Sequence, residues 1–286
     1  MPARIIILSD NTPSPDGLAG EHGFSAAIYL EDGSLWLWDA GASDLAARNA
    51  RALGVDVSLA RGLALSHGHY DHTGGVEAFL DAGFTGSIHA HPESRTPRWS
   101  VRSERPARFI GWSEPQTGAD RLRPVRGARI LAADAQGKPL LTMITDILRL
   151  QGNVEHTAGF FHDADGTAPD TVQDDACLVL HTARGRVLVL GCCHSGMANT
   201  LEAAQTATAD LPGESSGFEC VLGGMHLMGL DDDQDEGITQ TIAALVRHKV
   251  RTLRPGHCTG KPATRVLDKI YGESCHPLRV GADIRF

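Results

Sequence analysis

No stretch of this chain reaches the ~18 consecutive apolar residues that a membrane-spanning helix needs. Its opening segment, MPARIIILSDN, carries one arginine and a four-residue apolar run, which is too short for the core of a secretory leader. A soluble, cytoplasmic protein is expected. Positive charge is scarce too: 26 Lys and Arg stand against 35 Asp and Glu, for a net charge of −9 and a pI near 5.8. No basic stripe offsets that balance, which argues against nucleic acid as a partner. Cysteines at 177, 192, 193, 220, 258 and 275 do not form the framework of a small secreted domain in a chain of 286 residues. Cys192, Cys193 and Cys258 lie beside histidines, which favours a reducing compartment. Repeats and low-complexity tracts are absent. What remains, 42% hydrophobic and 21% charged residues, supports a sizeable core in one large domain or two small ones.

The most informative stretch is Arg61 to Gly75, RGLALSHGHYDHTGG. An apolar run leads into His67, His69, Asp71 and His72. Neutral imidazole is the commonest biological metal ligand, and mixed His/Asp sets suit zinc and similar divalent ions. In extended backbone, residues i and i+2 face one way, so His67 and His69 can share one ion. Asp71 and His72 are better placed to begin a second site. A solvated histidine-rich loop is the bland alternative, and four ligand-type side chains packed this closely behind a strand signal argue against it.

The same event occurs four times along the chain. An apolar strand stops, a small residue or turn follows, and a histidine appears: LALSHGH, VLVLGCCH, CVLGGMH and TLRPGHC. These carry His67, His194, His226 and His257. Ligands gathered from several strand ends on one sheet edge are a common way to build a site.

Around these points the pattern predicts strands at Arg4–Leu8, Phe24–Leu30, Ser34–Trp38, Gly86–Ala90, Cys177–His181, Arg186–Leu190, Phe218–Leu222, Val250–Leu253 and Leu278–Phe286. Helices are predicted from Ser43 or Asp44 to Leu53, at Gly75–Ala82, Asn199–Thr208 and Ala263–Tyr271, and from the acidic run Asp231–Glu236 to His248. Each half has hairpin strands followed by strand–helix units, and two such halves face to face give an α/β, four-layer αββα sandwich. A single domain, 1–286, is expected. Residues 92–170 read as an insertion or substrate lid, being polar and rich in Arg and Pro. Strands at Ala128–Ala132, Leu140–Thr145 and Ile147–Leu150 are predicted within it. Arg95, Arg98, Arg102 and Arg105 could meet a phosphate ester there, and His156 is the histidine of interest. His89, His91, His162, His181, His248 and His276 lack a strand-end context and are expected to be structural or on the surface.

H-x-H-x-D-H behind a strand, here His67, His69, Asp71 and His72, resembles the signature of the metallo-β-lactamase superfamily. The longer set D-N after the first strand (10–11), EHGFS (21–25), GCCHSGMANT (191–200), GGMHL (223–227) and PGHCTG (255–260) resembles one branch. That branch is the 7,8-dihydropterin-6-methyl-4-(β-D-ribofuranosyl)-aminobenzene-5′-phosphate synthase-like metallo-hydrolases. The resemblance implies the αββα fold and a metal centre with His67, His69 and His194 on one ion and Asp71, His72 and His257 on another. It also implies a bridging Asp where this chain has Gly191-Cys192, which makes Cys192 or Cys193 a candidate soft ligand, with a buried small apolar side chain as the alternative, and a partly occupied second site an expectation. Asp39, in a D-A-G triplet, is expected to support the ligands. His226 and Asp71 are candidate proton carriers, and Glu21 and His22 are candidates for substrate binding or proton transfer. The expected cofactor is zinc, one or two ions per chain, with iron or manganese as alternatives. The expected activity is hydrolysis by metal-activated water, or a dihydropterin-type synthase reaction, on a pterin or phosphate-ester small molecule. A di-iron redox enzyme and a non-catalytic metal- or pterin-binding module are the rivals. Nucleic acid and membrane are not expected as partners, and a homo-oligomer is left open.

Overall fold

The computed structural model describes residues 1–103, 105–113, 119–150, 157–209, 217–229 and 235–286. His156 and Asp231–Asp233 lie outside the described residues.

Two sheets carry the fold. The first holds β1 (Arg4–Ser9), β2 (Ser25–Tyr29), β3 (Leu35–Trp38), β4 (Ala60–Ala64), β5 (Ser87–Ala90), β8 (Leu122–Pro124) and β16 (Asp283–Arg285), in the order β16-β1-β2-β3-β4-β5-β8. The second holds β9 (Ala128–Ala133), β10 (Pro139–Ile144), β12 (Cys177–Thr182), β13 (Gly185–Leu190), β14 (Phe218–Gly224) and β15 (Thr252–Gly256), in the order β15-β14-β13-β12-β10-β9. Side chains alternate across a strand, and here both faces of the central strands are buried. Ile5 and Ile7 of β1, Trp36 and Trp38 of β3, Leu178 and Leu180 of β12 and Val187 and Val189 of β13 meet in one core between the sheets. The alternate residues face outward. Leu35, Leu37 and Leu63 pack with Ala46 and Ala50 of α1 (Leu45–Ala52) and Phe79 of α3 (Val76–Asp81), which follows the single turn α2 (Tyr70–Thr73). Val179, Leu188 and Val221 pack with Leu201 of α4 (Met197–Ala207), Leu245 of α5 (Glu236–Arg247) and Leu267 of α6 (Lys261–Tyr271). Three cores between four layers make an αββα sandwich, as expected. Trp38 ties the sheets further, donating from Nε1 to the carbonyl of Leu190 (3.2 Å).

The segment 92–170 does not form one insertion. It divides three ways. β8 extends the first sheet, and β9 and β10 extend the second. Among the described residues only β6 (Trp99–Arg102), β7 (Arg105–Phe109) and β11 (Phe160–Phe161) form a separate three-stranded sheet. No strand forms at Ile147–Leu150. Asp146 sits at φ +53°, a left-handed backbone that ends β10, and Leu148 and Leu150 are left exposed. The terminal strand is likewise shorter than expected, Asp283–Arg285. Among the described residues no helix is long and apolar enough to cross a membrane.

Candidate metal centre

β3 and β4 run parallel, as do β13, β14 and β15, so within each sheet their C-terminal ends share an edge. Asp39 follows β3, Ser66 to His69 follow β4, Gly191 to His194 follow β13, Met225-His226 follow β14, and His257 follows β15. Four of these non-glycine residues have positive φ: Asp39 (53°), Cys193 (61°), His226 (48°) and His257 (47°). Such backbone costs roughly 1–3 kcal/mol per residue and tends to mark functional turns. Gly191 is required at the seam, because a Cβ there would run into Ser66 Oγ and Asp39 Oδ2.

His67, His69 and His194 gather at this edge. Their ring centroids are 4.6, 4.7 and 5.1 Å apart pairwise. Tautomers follow from the hydrogen bonds. Ser66 Oγ donates its one hydrogen to Asp39 Oδ2 (2.8 Å) and so accepts from His67 Nδ1 (2.9 Å). His67 Nε2 is therefore bare, and it lies 3.0 Å from His69 Nδ1. Burial, reinforced by the other imidazoles and Arg98, pushes the pKa of all three rings well below the usual histidine value, which is the neutral, ligating form. His69 Nε2 and both nitrogens of His194 are buried without a hydrogen-bond partner. Buried polar atoms rarely stay unsatisfied, and a cation among the rings would take up the lone pairs that face it.

Beside this group stand Asp71, His72 and His257. Asp71 Oδ2 is 3.7 Å from His72 Nε2 and 3.4 Å from His257 Nε2. Burial raises the Asp71 carboxyl, but His72 and His257 outweigh it and hold it far below the usual carboxylate range. His72 Nδ1 donates to Asp39 Oδ2 (2.7 Å), which turns a bare Nε2 toward His257 Nε2 at 3.2 Å. His257 Nδ1 donates to Asn11 Oδ1 (2.9 Å), and its backbone N–H to Asp10 Oδ2 (2.8 Å). Second partners of this kind fix tautomer and ring orientation at metal sites.

Cys192 lies between the two groups. Its Sγ is 3.1 Å from His72 Nε2. The ligand atoms of His67, Cys192 and His194 lie within 4.8 Å of one another, as do those of His72, Cys192 and His257. Burial pushes the free thiol's pKa well up, and a coordinating cation reverses that preference.

The other sequence candidates divide. His226 lines the cavity over the centre, its ring 4.2 Å from that of His194. His22 lines it too, half exposed, with Nε2 3.3 Å from Asp71 Oδ2. The Asn11 amide nitrogen donates to His22 Nδ1 (3.3 Å), so His22 Nε2 carries the hydrogen toward Asp71. Glu21 is placed elsewhere. Its carboxylate accepts from Ser9 Oγ (3.1 Å), Ala42 N (3.1 Å) and Ser43 Oγ (2.6 Å), and these contacts fix the 21–43 loops rather than face the cavity. Arg98 is also redirected: it is fully buried, and Nη2 donates to Asp174 Oδ1 at 2.6 Å. His91 pairs with Asp146, His181 with Thr142 and His248 with Gln205, which are structural roles.

Two supporting residues, Asp174 and Asp175, carry no signal in the sequence. Asp174 Oδ2 accepts from the N–H of Gly68, between the two first-site histidines (2.7 Å), and Asp175 Oδ2 from the N–H of Ser195, next to His194 (2.7 Å). Adjacent acids thus clamp the histidine loops of both halves. Burial pushes the Asp175 carboxyl up to about 6. D-D in a polar loop has no local periodicity to announce it. Asn11, of the D-N pair after β1, serves His257 and His22 together, a role that the motif alone does not assign.

Fold and site together define a metallo-hydrolase-fold protein. The chain belongs to the metallo-β-lactamase superfamily, whose family model matches residues 20–192. A relative from Methanocaldococcus jannaschii, a 7,8-dihydropterin-6-methyl-4-(beta-D-ribofuranosyl)-aminobenzene-5′-phosphate synthase, is 25% identical over 276 residues, covering 93% of this chain and 90% of its own. The crystal structure of a metal-dependent hydrolase of the β-lactamase superfamily matches with a TM-score of 0.75 at 25% identity over 99% of both chains. Zn(2+)-bound PqqB from Methylobacterium extorquens shares the fold, with a TM-score of 0.56 at 12% identity over 99% of this chain and 100% of its own.

Proposed function

We propose that this chain is a zinc-dependent hydrolase with two metal positions, His67, His69 and His194 holding the first and Asp71, His72 and His257 the second, with Cys192 shared between them. The observation that carries the reading is the set of buried, partnerless nitrogens on His69 and His194 inside a cluster of neutral imidazoles. Imidazole and thiolate together suit zinc. A divalent ion in such a site supplies Lewis acidity and a hydrolytic nucleophile at neutral pH. The protein's part is to orient and to move protons. Asp39 and Asn11 fix which nitrogen of His72 and His257 faces inward. His226 borders the cavity beside His194, where it can pass a proton to a leaving group. His22 Nε2, between Asp71 and solvent, can exchange a proton with the medium. The substrate is a small molecule, a pterin or a phosphate ester, in keeping with the synthase relative's name. The free, buried cysteines support a reducing, cytoplasmic setting, and neither nucleic acid nor membrane is a partner in this reading.

Elemental analysis with a substrate panel of phosphodiesters, lactones and pterins tests this. The expected result is one or two zinc ions per chain and turnover of one class, abolished by a chelator and restored by zinc. Protein without stoichiometric metal overturns the reading, and iron with visible absorption replaces it with redox chemistry. Asp39→Asn is expected to weaken metal binding by ~10–100-fold, because one side of the amide must present NH2, either to the Ser66 N–H that Oδ1 accepts (2.7 Å) or to the Ser66 hydroxyl and His72 Nδ1 that Oδ2 accepts. Competition against a chromophoric chelator measures it, and an unchanged affinity would remove Asp39 from the metal site.

A further inference from the structure

The small sheet of β6, β7 and β11 roofs a cavity of about 390 Å³ over the candidate metal centre. Its pairing sets Phe160, Ser100 and Arg108 in one cross-strand row, and all three line the cavity together with Arg102. The row is graded. Phe160 packs at the metal end, its ring 5.0 Å from His69 and 5.9 Å from His194. Beyond it come the Ser100 hydroxyl and two guanidinium groups.

Both guanidiniums are seated. Arg108 lies over the Tyr70 ring, 5.2 Å from its centroid, and Tyr70 N–H is tied to the Ile110 carbonyl (2.9 Å) at the end of the same roof. Arg102 rests against Gly159 (φ +92°), where a Cβ would stand 2.9 Å from Arg102 Cζ. Neither is ion-paired among the described residues. The lining's one described carboxylate, Asp71, is engaged by His22 and His257. A chain of net charge −9 therefore keeps a cationic wall at this cavity, an arrangement that draws anions in.

We infer that Arg102, Arg108 and Ser100 form a subsite for a phosphoryl monoester group at the far end of the substrate, whose reacting group sits below Phe160 among the metal-site histidines. The inference rests on the proposed metal centre. Two guanidinium forks and a hydroxyl offer more donors than the two oxygens of a carboxylate take up, whereas a phosphoryl dianion presents three acceptor oxygens.

Calorimetric titration of the full chain with phenylphosphonate, benzoate and benzyl alcohol tests it, on zinc-loaded and metal-stripped protein. The parent is expected to prefer phenylphosphonate. Arg102→Ala and Arg108→Ala should each weaken that binding roughly tenfold and the double variant on the order of 100-fold, with benzyl alcohol and zinc content unchanged. A double variant within twofold of the parent overturns the subsite, as does a parent that shows no preference over benzyl alcohol. Equal affinity for benzoate overturns the phosphoryl class. If the parent holds no zinc the metal reading falls separately, and the metal-stripped titrations still decide the arginines.

Discussion

Asp174→Ala is expected to cost about 3 kcal/mol of folding stability, toward the lower end of the ~3–5 kcal/mol for breaking a buried ion pair. Arg98 and Asp174 are both fully buried and 2.6 Å apart. Removing the carboxylate strands a guanidinium away from water and leaves the Gly68 N–H without its acceptor. Asp170 lowers the cost because it stays 3.5 Å from Arg98 Nη1, too far to restore the lost hydrogen bond. Asp174→Asn keeps an acceptor for the Gly68 N–H but faces Arg98 Nη2 with an amide NH2, losing the charge and that hydrogen bond, so a loss smaller than alanine's only by the Gly68 contact is expected. Urea unfolding of metal-stripped protein measures both, since bound metal would add its own stabilisation. A change below ~1 kcal/mol for the alanine variant, the range of an exposed ion pair, would show that the Arg98–Asp174 pair contributes little. The functional consequence is separate: with the 67–69 loop released, metal affinity should fall along with stability, although Asp174 touches no proposed ligand side chain.

This pair also shows where sequence reading stops. His67, His69, Asp71 and His72 were legible because their spacing is local and they follow an apolar strand. His194, His226 and His257 were legible because each repeats that grammar. Asp174 meets Gly68 from 106 residues away, across a fold whose register no single segment specifies. The sandwich could be read for a similar reason: strands such as β13 and β14, buried along most of their length, are near-continuous apolar runs followed by helical patterns. The roof could not. Trp99–Arg102 and Arg105–Phe109 are partly or fully exposed along their length and show no apolar face, so they resembled loop. β8 is three residues long and enters the first sheet by pairing with β5, a placement decided by the sheet edge. The same blindness made Arg98 look like a substrate contact and hid Arg108: both are arginines in polar sequence, and only tertiary packing buries one and turns the other toward the cavity.

The largest expected effect on chemistry lies at the seam between the halves. His194→Ala removes the one first-site ring contributed by the second half, and the loss of metal affinity and turnover should exceed the ~10–100-fold typical of a supporting residue. Cys192 makes a finer demand. It stands where relatives are expected to carry a bridging Asp, and its Sγ is in reach of both histidine groups. If it is a shared thiolate ligand, cobalt-substituted protein should show a sulfur-to-metal charge-transfer band that Cys192→Ser abolishes. Cys192→Asp should retain two ions while losing the band. Cys258 is the control, because its thiol belongs to a third group with Cys192 and His226 and donates to the Cys192 carbonyl at 3.6 Å. A band lost in Cys258→Ser and kept in Cys192→Ser would move the soft ligand to β15's end and leave the two histidine groups without a bridge. A cobalt form with no such band in the parent would leave Cys192 as a buried apolar spacer, and the centre would then rest on imidazole and carboxylate alone.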